Sequence, residues 1–179
     1  MVYVFLADGF EEMEALSPVD VLRRAGIDVK TVGIGSDFIM GTHNIPVKAD
    51  ISIGEIKLDN SLEMIVLPGG MPGAENLENS PEVQEALDYC VENKKYIAAI
   101  CAAPMILGHK GLLEGKKAIC FPGFEKDLIG AEISANSVEA DGRFITAKSA
   151  GYALDFALKL VEVLTSEKKA VALEKSVKC

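Results

Sequence analysis

Apolar segments of β-type composition alternate along this chain with segments that carry an apolar stripe at helical spacing, and that alternation confines it to an α/β architecture. Stretches near 2–7, 29–34, 63–67, 96–100, 117–120 and 144–147 are rich in Val, Ile, Tyr and Phe and read as strands. The fold expected is a doubly wound, mostly parallel sheet covered by helices on both faces. Glu11 to Ala25 reads as a helix with Met13, Leu16, Val19 and Leu22 on its apolar face. Pro18 must either kink it or open a second part after Ser17, and Gly26 ends it. A helix capped at Ser80-Pro81 runs to about Asn93 with Val83, Leu87, Cys90 and Val91 inward, which makes Cys90 a core residue. Ala153, Phe156, Ala157, Leu160, Val161 and Leu164 define a third amphipathic helix, and Ser166 to Cys179 a shorter surface one. The segment 36–58 is punctuated by Gly41, Pro46 and Gly54 and is suited to edge strands, while Asp141-Gly142 signals a hairpin. No repeat, linker or low-complexity stretch interrupts residues 1–179, so one domain is expected.

Charge narrows the partners. The 179 residues carry 18 basic and 27 acidic side chains, a net −9, which repels phosphate backbones and anionic membrane surfaces and argues against nucleic-acid binding. The opening apolar run ends at Asp8, too short for a signal peptide, and the longest uncharged stretch, Tyr96 to Gly108, is shorter than the roughly 20 residues that span a bilayer. Cysteines at 90, 101, 120 and 179 match no close zinc spacing and suggest no disulfide framework. A cytoplasmic protein with reduced thiols is expected.

Chemistry concentrates at Cys101. In Tyr96-Ile97-Ala98-Ala99-Ile100-Cys101-Ala102-Ala103-Pro104 a β-type run meets a reactive side chain and then small residues. That is the pattern of a nucleophile elbow, where a strand turns so sharply into a helix that the residues two before and two after the nucleophile must be small. Here they are Ala99 and Ala103. A thiol at the head of a helix faces unpaired N–H groups that favour the thiolate, whereas the competing reading is a structural cysteine at a buried strand end.

In a doubly wound sheet, ligands gather beyond the carboxyl ends of the strands, so the residues just past each strand are the candidates. They are Asp8 to Glu14, the turn Pro68-Gly69-Gly70-Met71-Pro72-Gly73, and Cys101. Glycine at 69 and 70 lets a backbone N–H approach a bound oxygen. The Gly70 N–H, together with that of Ala102, would form an oxyanion hole.

Gly9-Phe10-Glu11-Glu12-Met13-Glu14, Val66-Leu67-Pro68-Gly69-Gly70, Asn76-Leu77 and the elbow Ala98 to Pro104 together resemble the DJ-1/ThiJ/PfpI superfamily, in its DJ-1-like branch. The match covers nearly the whole chain in order. It implies a flavodoxin-like sandwich, a homodimer, and Glu14 as the carboxyl that meets the Cys101 thiol. It further implies a cofactor-independent, metal-free glyoxalase or deglycase acting on reactive 2-oxoaldehydes such as methylglyoxal or their early adducts, with Cys101 and Glu14 catalytic and Gly70 and Ala102 binding the oxyanion. The alternative is a redox-sensing stress protein or chaperone that works through oxidation of Cys101. Physically, a thiolate and a carboxylate side by side repel, so the pair should share one proton, resting as Cys101 thiolate with Glu14 protonated. Phe121 stands where several relatives carry a histidine, and Ala102 where the family's proteases do, which disfavours a Cys-His protease. His43 and His109 read as surface residues, and Lys148 stands where related sequences carry arginine and could hold an anion as a point charge.

Overall fold

The computed structural model describes residues 1–178; Cys179, counted above with the tail, lies outside them. In chain order the elements are β1 (Val2–Leu6), α1 (Glu12–Arg24), β2 (Val29–Gly33), β3 (Phe38–Met40), β4 (Pro46–Lys48), β5 (Ile51–Ser52), β6 (Met64–Leu67), α2 (Gly73–Glu78), α3 (Pro81–Glu92), β7 (Tyr96–Ile100), α4 (Pro104–His109), β8 (Lys117–Ala118), β9 (Glu132–Ile133), β10 (Val138–Asp141), β11 (Phe144–Ala147), α5 (Ala153–Leu164) and α6 (Glu167–Lys178). Seven strands form one sheet in the order β10-β11-β7-β6-β1-β2-β5, parallel except for β10, which returns through the Asp141–Gly142 hairpin. This is a flavodoxin-like α/β fold.

Alternate residues of β1 feed opposite layers, as the period-2 side-chain geometry of a strand requires. Val2, Val4 and Leu6 join a core built with Ala15 and Leu22 of α1 and Phe156 and Leu160 of α5. Tyr3 and Phe5 join the other, with Leu77 of α2, Leu87 and Cys90 of α3, and Leu107 of α4. Burial on both faces explains why the central strands read as continuous apolar runs. The irregular segment supplies an edge strand, β5, and a separate β3–β4 hairpin.

Three local expectations are corrected. The 117–120 stretch does not enter the main sheet: β8 pairs with β9 in a two-stranded sheet, because β10 already occupies the edge of β11. On α1 the inward face is Ala15, Pro18, Val19 and Leu22 with Glu12 and Glu14, whereas Met13 and Leu16 face outward, and the helix runs on through Pro18. The two glutamates can turn inward because the His43 N–H and ring hold Glu12 and the Gly69 N–H holds one oxygen of Glu14. Val91 of α3 is also exposed, leaving Val83, Leu87 and Cys90 as the packed stripe.

Candidate active site

β7 is paired on both sides, with β6 and β11, and its last residue passes directly into Cys101. Cys101 adopts φ +64°, a left-handed conformation that a side-chain-bearing residue takes only where the surroundings over-determine it. Here its N–H donates to the Ala147 carbonyl at 2.9 Å and its carbonyl accepts from the Phe121 N–H at 2.8 Å, pinning the residue between β11 and the 121 loop. Ala99 and Ala103 are fully buried against this turn, and α4 starts at Pro104. The thiol is half-buried, while those of Cys90 and Cys120 are buried.

Glu14 reaches the same point from α1. Its Oε2 accepts the Gly69 N–H at 2.9 Å, and its Oε1 is buried with no hydrogen-bond partner. A Cβ at Gly69 would lie 2.6 Å from Glu14 Oε2 and 2.7 Å from Cys101 Cβ, so the absence of a side chain there is what lets carboxyl and thiol meet. Burial pushes the Glu14 carboxyl up to about 7, the Glu11 carboxylate adding to it and the Cys101 thiol and the Gly69 N–H pulling the other way. Burial also pushes the Cys101 thiol up, and the Glu14 carboxylate adds to it; the backbone N–H groups of Ala102 and Gly70 pull the other way. Both groups are pushed toward their protonated forms, so the environment favours a neutral thiol at rest and not the thiolate expected from the sequence; forming the thiolate requires the proton to sit on Glu14. With that proton on Oε1, the orphaned oxygen becomes a hydrogen-bond donor.

The structure thus brings Cys101, Glu14, Gly70 and Ala102 together. Lys148 follows Ala147 at the carboxyl end of β11, half-buried, with its backbone N–H on the Ser137 carbonyl. His43 is elsewhere: its Nδ1 lies 2.7 Å from Glu12 Oε2, and its backbone N–H donates to Glu12 Oε1 at 2.8 Å. This contact straps the β3–β4 turn to α1. Burial pushes the Glu12 carboxyl up, but the His43 bonds prevail and hold it below the usual range. His109, at the end of α4, sits between Glu78 and Asp127.

Sequence reasoning missed two features. Gly69 holds Glu14 while Gly70 is left to face the sulfur, a division of labour that the doubled glycine of Pro68-Gly69-Gly70 hinted at. The Glu12–His43 strap had no signal, since 31 residues separate its partners. Among the described residues the only cluster with metal-ligand geometry is Glu11, Glu12 and His43, whose atoms already bond one another or backbone. No helix among the described residues is long and apolar enough to cross a membrane.

The model of the DJ-1/PfpI family matches residues 1–163. Parkinson disease protein 7 homolog of Danio rerio is 35% identical over 175 residues, covering 96% of this chain and 93% of that protein. Protein DJ-1 homolog B of Arabidopsis thaliana is 37% identical over 173 residues; the match takes in 95% of this chain but 39% of the longer plant protein. Glutathione-independent glyoxalase DJR-1.2 of Caenorhabditis elegans is 30% identical over 166 residues, 92% of this chain and 88% of the relative. The solved structure of oxidized Toxoplasma gondii DJ-1 superposes with a TM-score of 0.93 at 34% identity, covering 98% of this chain and 96% of that one.

Proposed function

The chain belongs to the DJ-1/PfpI family, and on that premise we propose that it is a cofactor-independent glyoxalase acting through Cys101 on small 2-oxoaldehydes such as methylglyoxal, with deglycation of their early adducts as the same chemistry on a bound aldehyde. The observation that carries the reading is the orphaned, buried Oε1 of Glu14 beside an elbow thiol. A carboxyl with one oxygen anchored on Gly69 and the other unpaired is poised to give and take a proton.

The steps follow from the groups present. The sulfur adds to the aldehyde carbon, and the oxygen that gains the negative charge is met by the Gly70 and Ala102 N–H groups. Glu14 gives its proton to that oxygen, leaving a neutral hemithioacetal. The resulting carboxylate takes the proton from the former aldehyde carbon and returns it to the neighbouring one, while the hemithioacetal hydroxyl passes its proton to the ketone oxygen, so the ketone becomes a hydroxyl and the sulfur holds a thioester. Water cleaves the thioester, releasing lactate and regenerating the thiol. Methylglyoxal plus water gives lactate, with no electrons gained or lost overall. The relative named as a glutathione-independent glyoxalase supports this reading.

A second reading is favoured by one contrast. Burial pushes Cys90 and Cys120 up to about 12 and covers both, whereas Cys101 is the partly open thiol. Among the thiols of the described residues oxidation would therefore single out Cys101, and the Glu14 proton could bond a sulfinate oxygen as it bonds an alkoxide. A homodimer in the cytoplasm completes the proposal. Its support is the outward-facing Met13 and Leu16 of α1 and Phe38, Met40 and Ile45 of the β3–β4 hairpin, apolar side chains that a monomer leaves in water. The deciding experiment incubates purified protein with methylglyoxal in the absence of glutathione and assays lactate. Turnover that Cys101→Ser abolishes supports the enzyme, and no turnover in the parent chain removes it.

A further inference from the structure

Three segments surround Cys101, and the elements that follow them meet at one histidine. The Gly69–Gly70 turn runs into α2, tied by the Ala74 N–H to the Gly70 carbonyl at 2.9 Å, and α2 ends at Glu78. The elbow runs into α4, whose last residue is His109. Phe121, whose N–H holds the Cys101 carbonyl, leads into a short turn of 3-10 helix, Glu125–Asp127. At the far end His109 Nδ1 lies 2.6 Å from Glu78 Oε1, and His109 Nε2 lies 3.5 Å from Asp127 Oδ1. Next to it, Gly108 brings α4 against the Asp127 carbonyl so closely that a Cβ would overlap it.

We propose that His109, as an imidazolium, is a positioning residue that keeps these three segments in register around Cys101. Only the charged ring carries an N–H on both nitrogens, so only that form both donates to Glu78 and sets a cationic N–H 3.5 Å from the Asp127 carboxylate. The neutral ring keeps the Glu78 bond and loses the ion pair with Asp127. The other charged groups on the elements packed here are engaged or point to different partners: Lys110 pairs with Asp88 of α3 at 2.8 Å, Glu125 accepts the Gly123 N–H at 2.8 Å, and Glu82 accepts from Ser80 Oγ at 2.7 Å. Glu75 of α2 and Lys126 of the 3-10 turn complete the set.

The pH window follows from the partners. The Glu78 hydrogen bond holds the imidazolium, burial works slightly against it, and Asp127 adds to Glu78, so His109 keeps its proton to a higher pH than an ordinary histidine. The clamp is complete below the ordinary histidine value and is lost as pH rises through the raised one. All three side chains are partly exposed, so the effect is modest. The proposal deepens the reading of the Cys101 site given above, but its test reads the thiol itself, not turnover.

The experiment measures the rate of Cys101 alkylation by iodoacetamide between about pH 5.5 and 9 in the wild-type chain, His109→Gln and Asp127→Asn, alongside an NMR titration of the His109 ring. The expected ratio of wild-type to His109→Gln rates departs from one by about threefold below the His109 midpoint and converges to one above it. Asp127→Asn moves both the midpoint and the step to lower pH, which keeps the test available should His109→Gln unfold. A ratio that stays constant across pH, or a His109 that titrates at or below the ordinary value, overturns the clamp. Because alkylation needs no substrate, a chain without glyoxalase turnover still shows the step, and a turning-over chain without it loses only this proposal.

Discussion

Glu14 and Cys101 meet across Gly69: the carboxyl accepts the Gly69 N–H at 2.9 Å, and the point where a Gly69 side chain would stand is within 2.7 Å of both Glu14 Oε2 and Cys101 Cβ. Two groups that repel when both are ionised are thus held at contact by a residue with no side chain. The stability, the pH dependence and the chemistry of the site all follow from that contact.

Replacing Glu14 with Gln keeps the bond to Gly69, since an amide oxygen also accepts, but removes the transferable proton and the negative charge. Turnover of methylglyoxal is expected to fall by about 10²- to 10⁴-fold. Iodoacetamide alkylation of Cys101 at neutral pH is expected to hold or rise, because like-charge repulsion on the sulfur is gone. A Glu14→Gln enzyme at full rate would remove Glu14 from the mechanism.

The same carboxyl makes stability depend on pH. Its value is raised from 4.5 to about 7, chiefly by burial, so its contribution is whole below the unfolded value and is lost as pH rises through the folded one. Ionising it costs at most about 3 kcal/mol. Urea unfolding of wild type and Glu14→Gln, compared at pH 5 and pH 8, should show the variant gaining on wild type at the higher pH. Parallel curves would mean that Glu14 is not strained by its charge.

Gly69→Ala places a methyl group into the contact itself. Both neighbours are held by backbone, so the expected result is a stability loss of about 1–3 kcal/mol together with loss of turnover, read by thermal unfolding and by lactate formation. If the Gly69→Ala variant were active and stable, the carboxyl and thiol would not need to touch.

Much of this is legible in the chain, and what is not has identifiable causes. The strand runs 2–7, 63–67, 96–100 and 144–147 are readable because central parallel strands are apolar on both faces, and the elbow because its small residues are sterically required. The stretch at 117–120 looks equally β-like, yet whether it joins the sheet depends on which strand holds the edge of β11, a tertiary fact. The helical stripe on α1 misleads for a related reason. Periodicity assigns Met13 and Leu16 inward, but Glu12 and Glu14 turn inward because His43 and Gly69, distant in sequence, satisfy them. Glu14 itself comes into view through the resemblance of its motif; local patterning leaves it a solvated acid at a helix start.

Phe121 offers a gain-of-function check. Its N–H is bonded to the Cys101 carbonyl, so a histidine at this position would bring an imidazole to the mouth of the site. Phe121→His is expected to raise Cys101 alkylation below pH 7 by about tenfold, because a nearby cation lowers a thiol's value by about one unit or more. An unchanged rate would place the side chain away from the sulfur.

The most direct measurement of the central claim is lactate formation from methylglyoxal without glutathione by the wild-type chain and by Cys101→Ser, each verified as folded by its unfolding transition. Turnover is expected in the first and none above the uncatalysed background in the second. Equal rates in the two, or no turnover in either, would contradict the claim.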